Sequence, residues 1–184
     1  MLPLHRRLLM LSTLALVGIA TPSLAAIPKG ECLWNTVPAA QRATMMDNYR
    51  AKGMASVGEL DVSDQLTLDL RKACKFTPDE DTKAGEVLAA TMIAKGSDQM
   101  LFEREKIAKG RMDKVWTALP PADKEALTVF GLSLLKGESD GVAAAAAVVL
   151  RVTGDLGLPT ETLNNDVYGY LVGRAVREAR EAGR

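Results

Sequence analysis

Residues 26–184 are predicted to fold as an all-α bundle of about six to seven helices, and three observations carry that prediction. Alternating Val/Ile/Thr-rich runs bounded by turn residues are missing, so no segment reads as a half-buried strand. Helix starts and stops recur along the whole segment. The chain also echoes itself at a spacing of about eighty residues, which points to two pseudo-symmetric three-helix units, roughly 31–112 and 113–184.

Residues 1–25 read differently. A short basic start with Arg6 and Arg7 precedes the apolar run at 8–20, and Pro22-Ser23-Leu24-Ala25 is a small-residue exit. That is the pattern of a signal peptide cleaved after Ala25, because thirteen apolar residues fall short of the ~20 that span a bilayer. The Arg pair followed by Leu8 and Leu9 fits the general secretory or the twin-arginine route. Residues 26–184 then form a single domain in the periplasm or outside the cell. No Leu-x-x-Cys setting at the cleavage point suggests a lipid anchor, and the longest later apolar run, Val142 to Leu150, is nine residues. A soluble product without stable membrane insertion is therefore expected.

Along that domain, helices are predicted near 36–52, 63–75, 78–95, 98–109 running on towards 118, 121–136, 139–153 and 160–182. Pro38 and Pro120-Pro121 suit a first helical turn, where the missing N–H would have no partner. Thr77-Pro78-Asp79-Glu80 has the form of a capping box, with Thr77 as cap, and Asp79, Glu80 and Asp81 face the positive end of the helix dipole. Lys52-Gly53, Lys95-Gly96, Lys109-Gly110 and Lys136-Gly137 each place a cation in a last turn before a glycine that can turn left-handed, so all four read as stops.

The repeat rests on Leu33-Trp34-Asn35-Thr36-Val37-Pro38 set against Val115-Trp116-Thr117-Ala118-Leu119-Pro120, which hold the only two tryptophans. Leu70-Arg71 then answers to Leu150-Arg151, and Pro78 to Pro159. Trp34, Pro38, Trp116 and Pro120 are the landmarks. Cys32 and Cys74 are the only cysteines, and an oxidising compartment implies a disulfide between them. In a hairpin of helices 36–52 and 63–75, the approach to the first lies beside the end of the second, which brings the two cysteines together. The second unit has Lys114 and Gly154 at the corresponding points, so only the first is stapled.

Much chemistry is excluded. The only histidine, His5, leaves with the signal, which removes Ser-His-Asp and Cys-His catalysis and every His-ligated metal site. Arg6 and Arg7 leave too, so 21 basic residues face 23 acidic ones, a net charge of −2 that argues against nucleic acid as a partner. No catalytic or cofactor-binding residue and no metal ligand is assigned. Met45, Met46, Met54, Met92, Met100 and Met112 form no tight Met-x-Met cluster and read as core filling.

Carboxylates are the only acid/base groups left for hydrolysis. Glu138-Ser139 resembles the Glu-Ser of lytic transglycosylases, but the Gly-Leu-Met-Gln-like segment and the later Asn/Tyr pattern of that family do not occur here. Small residues at Ala143 to Ala147 and at Gly169-x-x-x-Gly173 are expected to pack against each other, or else to form a dimer contact. Arg174, Arg177, Arg180 and Arg184 read as a solvated helix end neutralised by the i,i+4 pairs Arg174–Glu178 and Arg177–Glu181. What survives exclusion is an exported, non-catalytic helical protein that binds another envelope protein, or an apolar small molecule between its halves. The alternatives are a carboxylate-only hydrolase of cell-wall glycan and a structural helical dimer.

Overall fold

A computed structural model describes residues 29–184; residues 1–28, with the expected signal and its cleavage point, lie outside the described residues. Among the described residues there are eight α-helices and no strand. They are α1 Gly30–Thr36, α2 Ala39–Lys52, α3 Asp64–Cys74, α4 Asp81–Glu105, α5 Arg111–Ala118, α6 Pro121–Leu134, α7 Val142–Asp155 and α8 Asn165–Glu181. Two 3₁₀ segments join them, Gly53–Glu59 after α2 and Pro78–Glu80 before α4. No described helix is long and apolar enough to cross a membrane.

Local signals place most of the starts. The Thr77 backbone N–H donates to the Glu80 carboxylate at 2.7 Å, closing the expected box one 3₁₀ turn ahead of α4. Ser63 accepts from the Leu66 N–H to cap α3, and Asn164 accepts from the N–H groups of Asp166 and Val167 to cap α8. Pro38 and Pro120 stand as the caps themselves, with Pro121 in the first turn of α6.

The stops differ from the sequence reading. Gly53 and Gly137 do turn left-handed where α2 and α6 finish, at φ of 59° and 74°. Gly96, in contrast, lies inside an unbroken α4, so the helices expected at 78–95 and 98–109 are one. Its missing side chain admits the ring of Tyr49, whose atoms a Cβ would overlap. Gly110 opens α5 rather than ending a helix. α4 stops instead at Lys106, a left-handed non-glycine residue, where the Ile107 N–H reaches back to the Leu101 carbonyl at 3.1 Å. A helix of its own, α1, precedes Pro38, which brings the count to eight.

α4 and α8 form the centre. Gly169 faces Ser97, Gly173 faces Ala90 and Ala94, and Arg180 pairs with Glu86, so rising numbers on α8 meet falling numbers on α4 and the helices run antiparallel. Two apolar cores flank this pair. One gathers Leu33, Trp34, Tyr49, Leu70, Val87 and Met92 of the first half. The other joins Trp116, Leu127, Phe130, Val149, Leu171 and Val176 of the second with Ala90, Ala94 and Leu101 of α4.

The small-residue faces do not meet as expected. Gly169 and Gly173 close on α4, not on α7, because a Cβ at Gly173 would stand only 2.9 Å from the Ala90 carbonyl oxygen. In α7 only Ala145 of the alanine run is buried, and that helix packs chiefly on α6. The arginine reading is corrected as well. Both expected pairs are present, Arg174 with Glu178 at 2.6 Å and Arg177 with Glu181 at 4.0 Å, but Arg177 and Arg180 are largely buried rather than solvated and also reach out of their own helix, to Glu31 and Glu86. Their long stems cover the seam between α8, α1 and α4 while the heads find carboxylates.

Trp34 and Trp116 are both buried, each in the short helix that precedes a proline. Val37 and Leu119, the residues before those prolines, have φ/ψ of −59°/130° and −60°/135°. Pro38 and Pro120 have −53°/141° and −55°/146°. At matched positions beyond them, Arg42 donates to the carbonyls of Trp34, Asn35 and Val37, and Lys124 to that of Thr117 at 3.5 Å. Further along, the halves diverge. Arg71 of α3 pairs forward with Asp81 of α4, whereas Arg151 of α7 pairs back with Asp123 of α6.

Candidate functional site

Where the halves meet, α4 and α8 diverge from α6 and from the 53–59 segment and leave a cavity of about 360 Å³. Met54 and Val57 form one wall and Ala89, Ala90 and Ile93 of α4 the floor. Val172, Gly173 and Val176 of α8, with Gly131 of α6, close the far side. Leu134, Leu135 and Tyr168 complete the lining; both leucines are 43% exposed, an unusual exposure for large side chains at the edge of a core. Gly131 is there because α8 is: a Cβ on it would overlap the Val176 side chain. The cavity is at the lower end of the size of small-molecule sites, on the order of 300–1,000 Å³.

Polar groups are few in this wall. Glu86 is its one charged residue, and its Oε2 lies 2.6 Å from the Arg180 Nε as an ion pair that lacks hydrogen-bond alignment. The Tyr168 ring packs at 6.0 Å from Phe130, and burial pushes its phenol up from the ordinary range. The hydroxyl of Tyr168 makes no hydrogen bond to a described residue. Such a wall rewards apolar surface and supplies one acceptor and one hydroxyl to orient it.

The carboxylates are arranged otherwise. Glu138-Ser139 lies in the exposed turn between α6 and α7, the setting of an ordinary surface turn. A shallower groove is lined by Lys95, Asp98, Gln99, Phe102, Glu103 and Lys109. Within it, burial and then the neighbouring Asp113 raise the Asp98 carboxyl, while hydrogen bonds from Arg50 and Gln99 hold Glu103 low. An acid and a base tuned apart would suit glycan hydrolysis if they faced each other across a scissile bond. Five positions apart on one helix, they project about 140° apart around its axis. Glu103 is also occupied by Arg50 at 3.2 Å.

Of the residues singled out from sequence, Met54 and Gly173 line the cavity, and the paired cysteines and repeat landmarks lie elsewhere. Cys32 and Cys74 are bonded, with Cα atoms 5.8 Å apart, and they join α1 to α3. α3 packs on α1 rather than along α2, so the staple works through the extra helix before Pro38 and not through the expected hairpin. Trp34, Pro38, Trp116 and Pro120 belong to the two helix openings and none lines the cavity. Met45, Met92, Met100 and Met112 are buried in the cores, and Met46 and Met54 pack against one. No group of three or more His, Cys, Asp or Glu side chains gathers among the described residues. Apart from Met54 and Gly173, the cavity residues carry no motif in the sequence; the Leu134-Leu135 pair, apolar just before Lys136-Gly137, is their one local sign.

Comparison with protein-family models, with curated proteins and with solved structures finds no match to this chain.

Proposed function

We propose that this chain is an exported binding protein that holds a small apolar molecule in the cavity between its two halves. The observation that carries the reading is the chemistry of the cavity wall: aliphatic side chains from four elements, a single charged residue, and exposed leucines at the edge. Export is supported by the signal-like residues 1–25 and by the Cys32–Cys74 bond, which persists in oxidising compartments. The halves, on this reading, descend from one duplicated unit. The near-identical backbone angles around Val37-Pro38 and Leu119-Pro120 support that origin, with four helices to a unit rather than three. A cavity at the junction of two such units belongs to neither alone.

The test uses protein purified from the native envelope fraction, extracted and analysed by mass spectrometry for retained apolar molecules, and a neutral fluorescent naphthylamine probe added to the stripped protein. Saturable binding of about one probe per chain is expected, and Ala89→Phe, which fills the floor, should abolish it without lowering the melting temperature by more than a few degrees. Absent binding, or binding unchanged by Ala89→Phe, overturns the reading.

A further inference from the structure

Resting on that reading, we infer that the cavity selects an apolar molecule ending in a hydrogen-bond donor, an alcohol or an amine, over one ending in a carboxylate. The argument is a matter of which polar atoms the wall leaves open. Glu86 alone among the lining residues carries charge, and that charge is negative. Its Oε2 is buried against the Arg180 Nε, and Arg180 itself stands behind Glu86 rather than in the wall. The Oε1 accepts no hydrogen bond from any described residue and, unlike Oε2, is not among the buried unpartnered atoms. Among the lining residues it is thus the one charged acceptor without a protein donor.

An alcohol or ammonium end satisfies that acceptor and loses little, since a hydrogen bond to a charged group replaces the one it gave to water. A carboxylate in the same place brings two like charges together in a partly desolvated setting and leaves Oε1 unpaired. The Tyr168 hydroxyl can accept from a ligand or donate to it and so does not reverse the preference. Arg180 is the group that could welcome an anion, and Glu86 already occupies it. The selectivity therefore belongs to Glu86, with Arg180 held against its Oε2 outside the lining.

Three ligands of equal chain length, n-octanol, n-octylamine and octanoate, are titrated against the bound naphthylamine probe near neutral pH. Octanol and octylamine should displace it with affinities at least about tenfold better than octanoate, the ratio worth about 1.4 kcal/mol. In Glu86→Gln the preference should collapse, octanoate displacing the probe about as well as octanol, because the charge that repels it is gone while Arg180 stays outside the lining. Glu86→Asp, which keeps the charge but withdraws the oxygens, should retain the order with a smaller ratio. Equal displacement by all three in the parent protein, or an order that survives in Glu86→Gln, overturns this inference while leaving the cavity reading intact. Failure of the probe itself to bind overturns both, and the parent titration decides the matter even if Glu86→Gln does not fold.

Discussion

The two halves of the molecule begin alike, with a short helix, a proline and a fourteen-residue helix, and then hold that opening by different chemistry. In the first half α1 is tied covalently to α3 through Cys32–Cys74. In the second, α5 is tied to α8 by polar contacts: Tyr170 donates to Asp113 at 2.8 Å, Arg174 to Asp113 at 2.8 Å and to Glu178 at 2.6 Å, and the Trp116 indole to Glu178 at 2.9 Å. Burial foremost, with the bond to Asp113, pushes the Tyr170 phenol far above its ordinary value, so it is a donor at neutral pH. A disulfide acts mainly by restricting the unfolded chain and responds to reductant. The polar tie is made in the folded state alone, involves half-exposed carboxylates, and responds to ionisation and salt. The two openings are thus secured by means that fail under different conditions.

Breaking the covalent side should have the largest effect. The bond closes a loop of 42 residues, which in the chain-entropy treatment is worth about 4 kcal/mol. Reduction, or Cys32→Ser with Cys74→Ser, is expected to lower stability by that order in denaturant titrations. Hydrogen exchange should accelerate first in α1 and α3 while α5 to α8 keep their protection. Uniform loss across both halves would show that they do not differ in this way.

The seam common to both halves comes next. Gly173→Leu places a side chain against the Ala90 carbonyl and the Ala94 amide, backbone atoms that cannot rotate aside, and should cost about 1–3 kcal/mol by overpacking. Gly169→Leu meets the Ser97 and Tyr49 side chains, which already share a 2.7 Å hydrogen bond, and should cost less if those can swing away. Thermal melts of the two variants rank them; a parental melt for Gly173→Leu would mean that α4 and α8 are not in close contact.

The smallest effect sharpens the polar side. Asp98 is raised from its ordinary 3.8 by burial and then by Asp113, so the folded chain holds this proton to a higher pH than the unfolded chain does. Stability from this group therefore falls as pH rises from about 3.8 through the raised value, and at neutral pH the ionised carboxylate is a net cost. Asp98→Asn is expected to exceed the parent in stability at pH 7 by less than about 1 kcal/mol, the difference fading below pH ~3. A variant less stable at pH 7 and no different in acid would show that the ionised Asp98 is supportive instead.

Much of the fold was legible without coordinates because its signals are local. The all-α class follows from missing alternation, the capping box from four adjacent residues, and the pairing of Cys32 with Cys74 from there being no other choice. A glycine, by contrast, reads the same whether it ends a helix or receives a neighbour. Gly53 and Gly137 stop helices by taking positive φ, whereas Gly96 is helical and makes room for Tyr49, a residue 47 positions away. Arg177 likewise has Glu181 one turn along its own helix, and Arg180 sits beside Glu181 in sequence, so nothing local announced that they reach Glu31 and Glu86. Composition and short-range spacing determined which segments are helical and where most begin. Only the tertiary structure decided that α8 closes on α4 rather than α7, and that a cavity with one carboxylate opens beside that contact, because close approach depends on which side chains are absent on both partners at once.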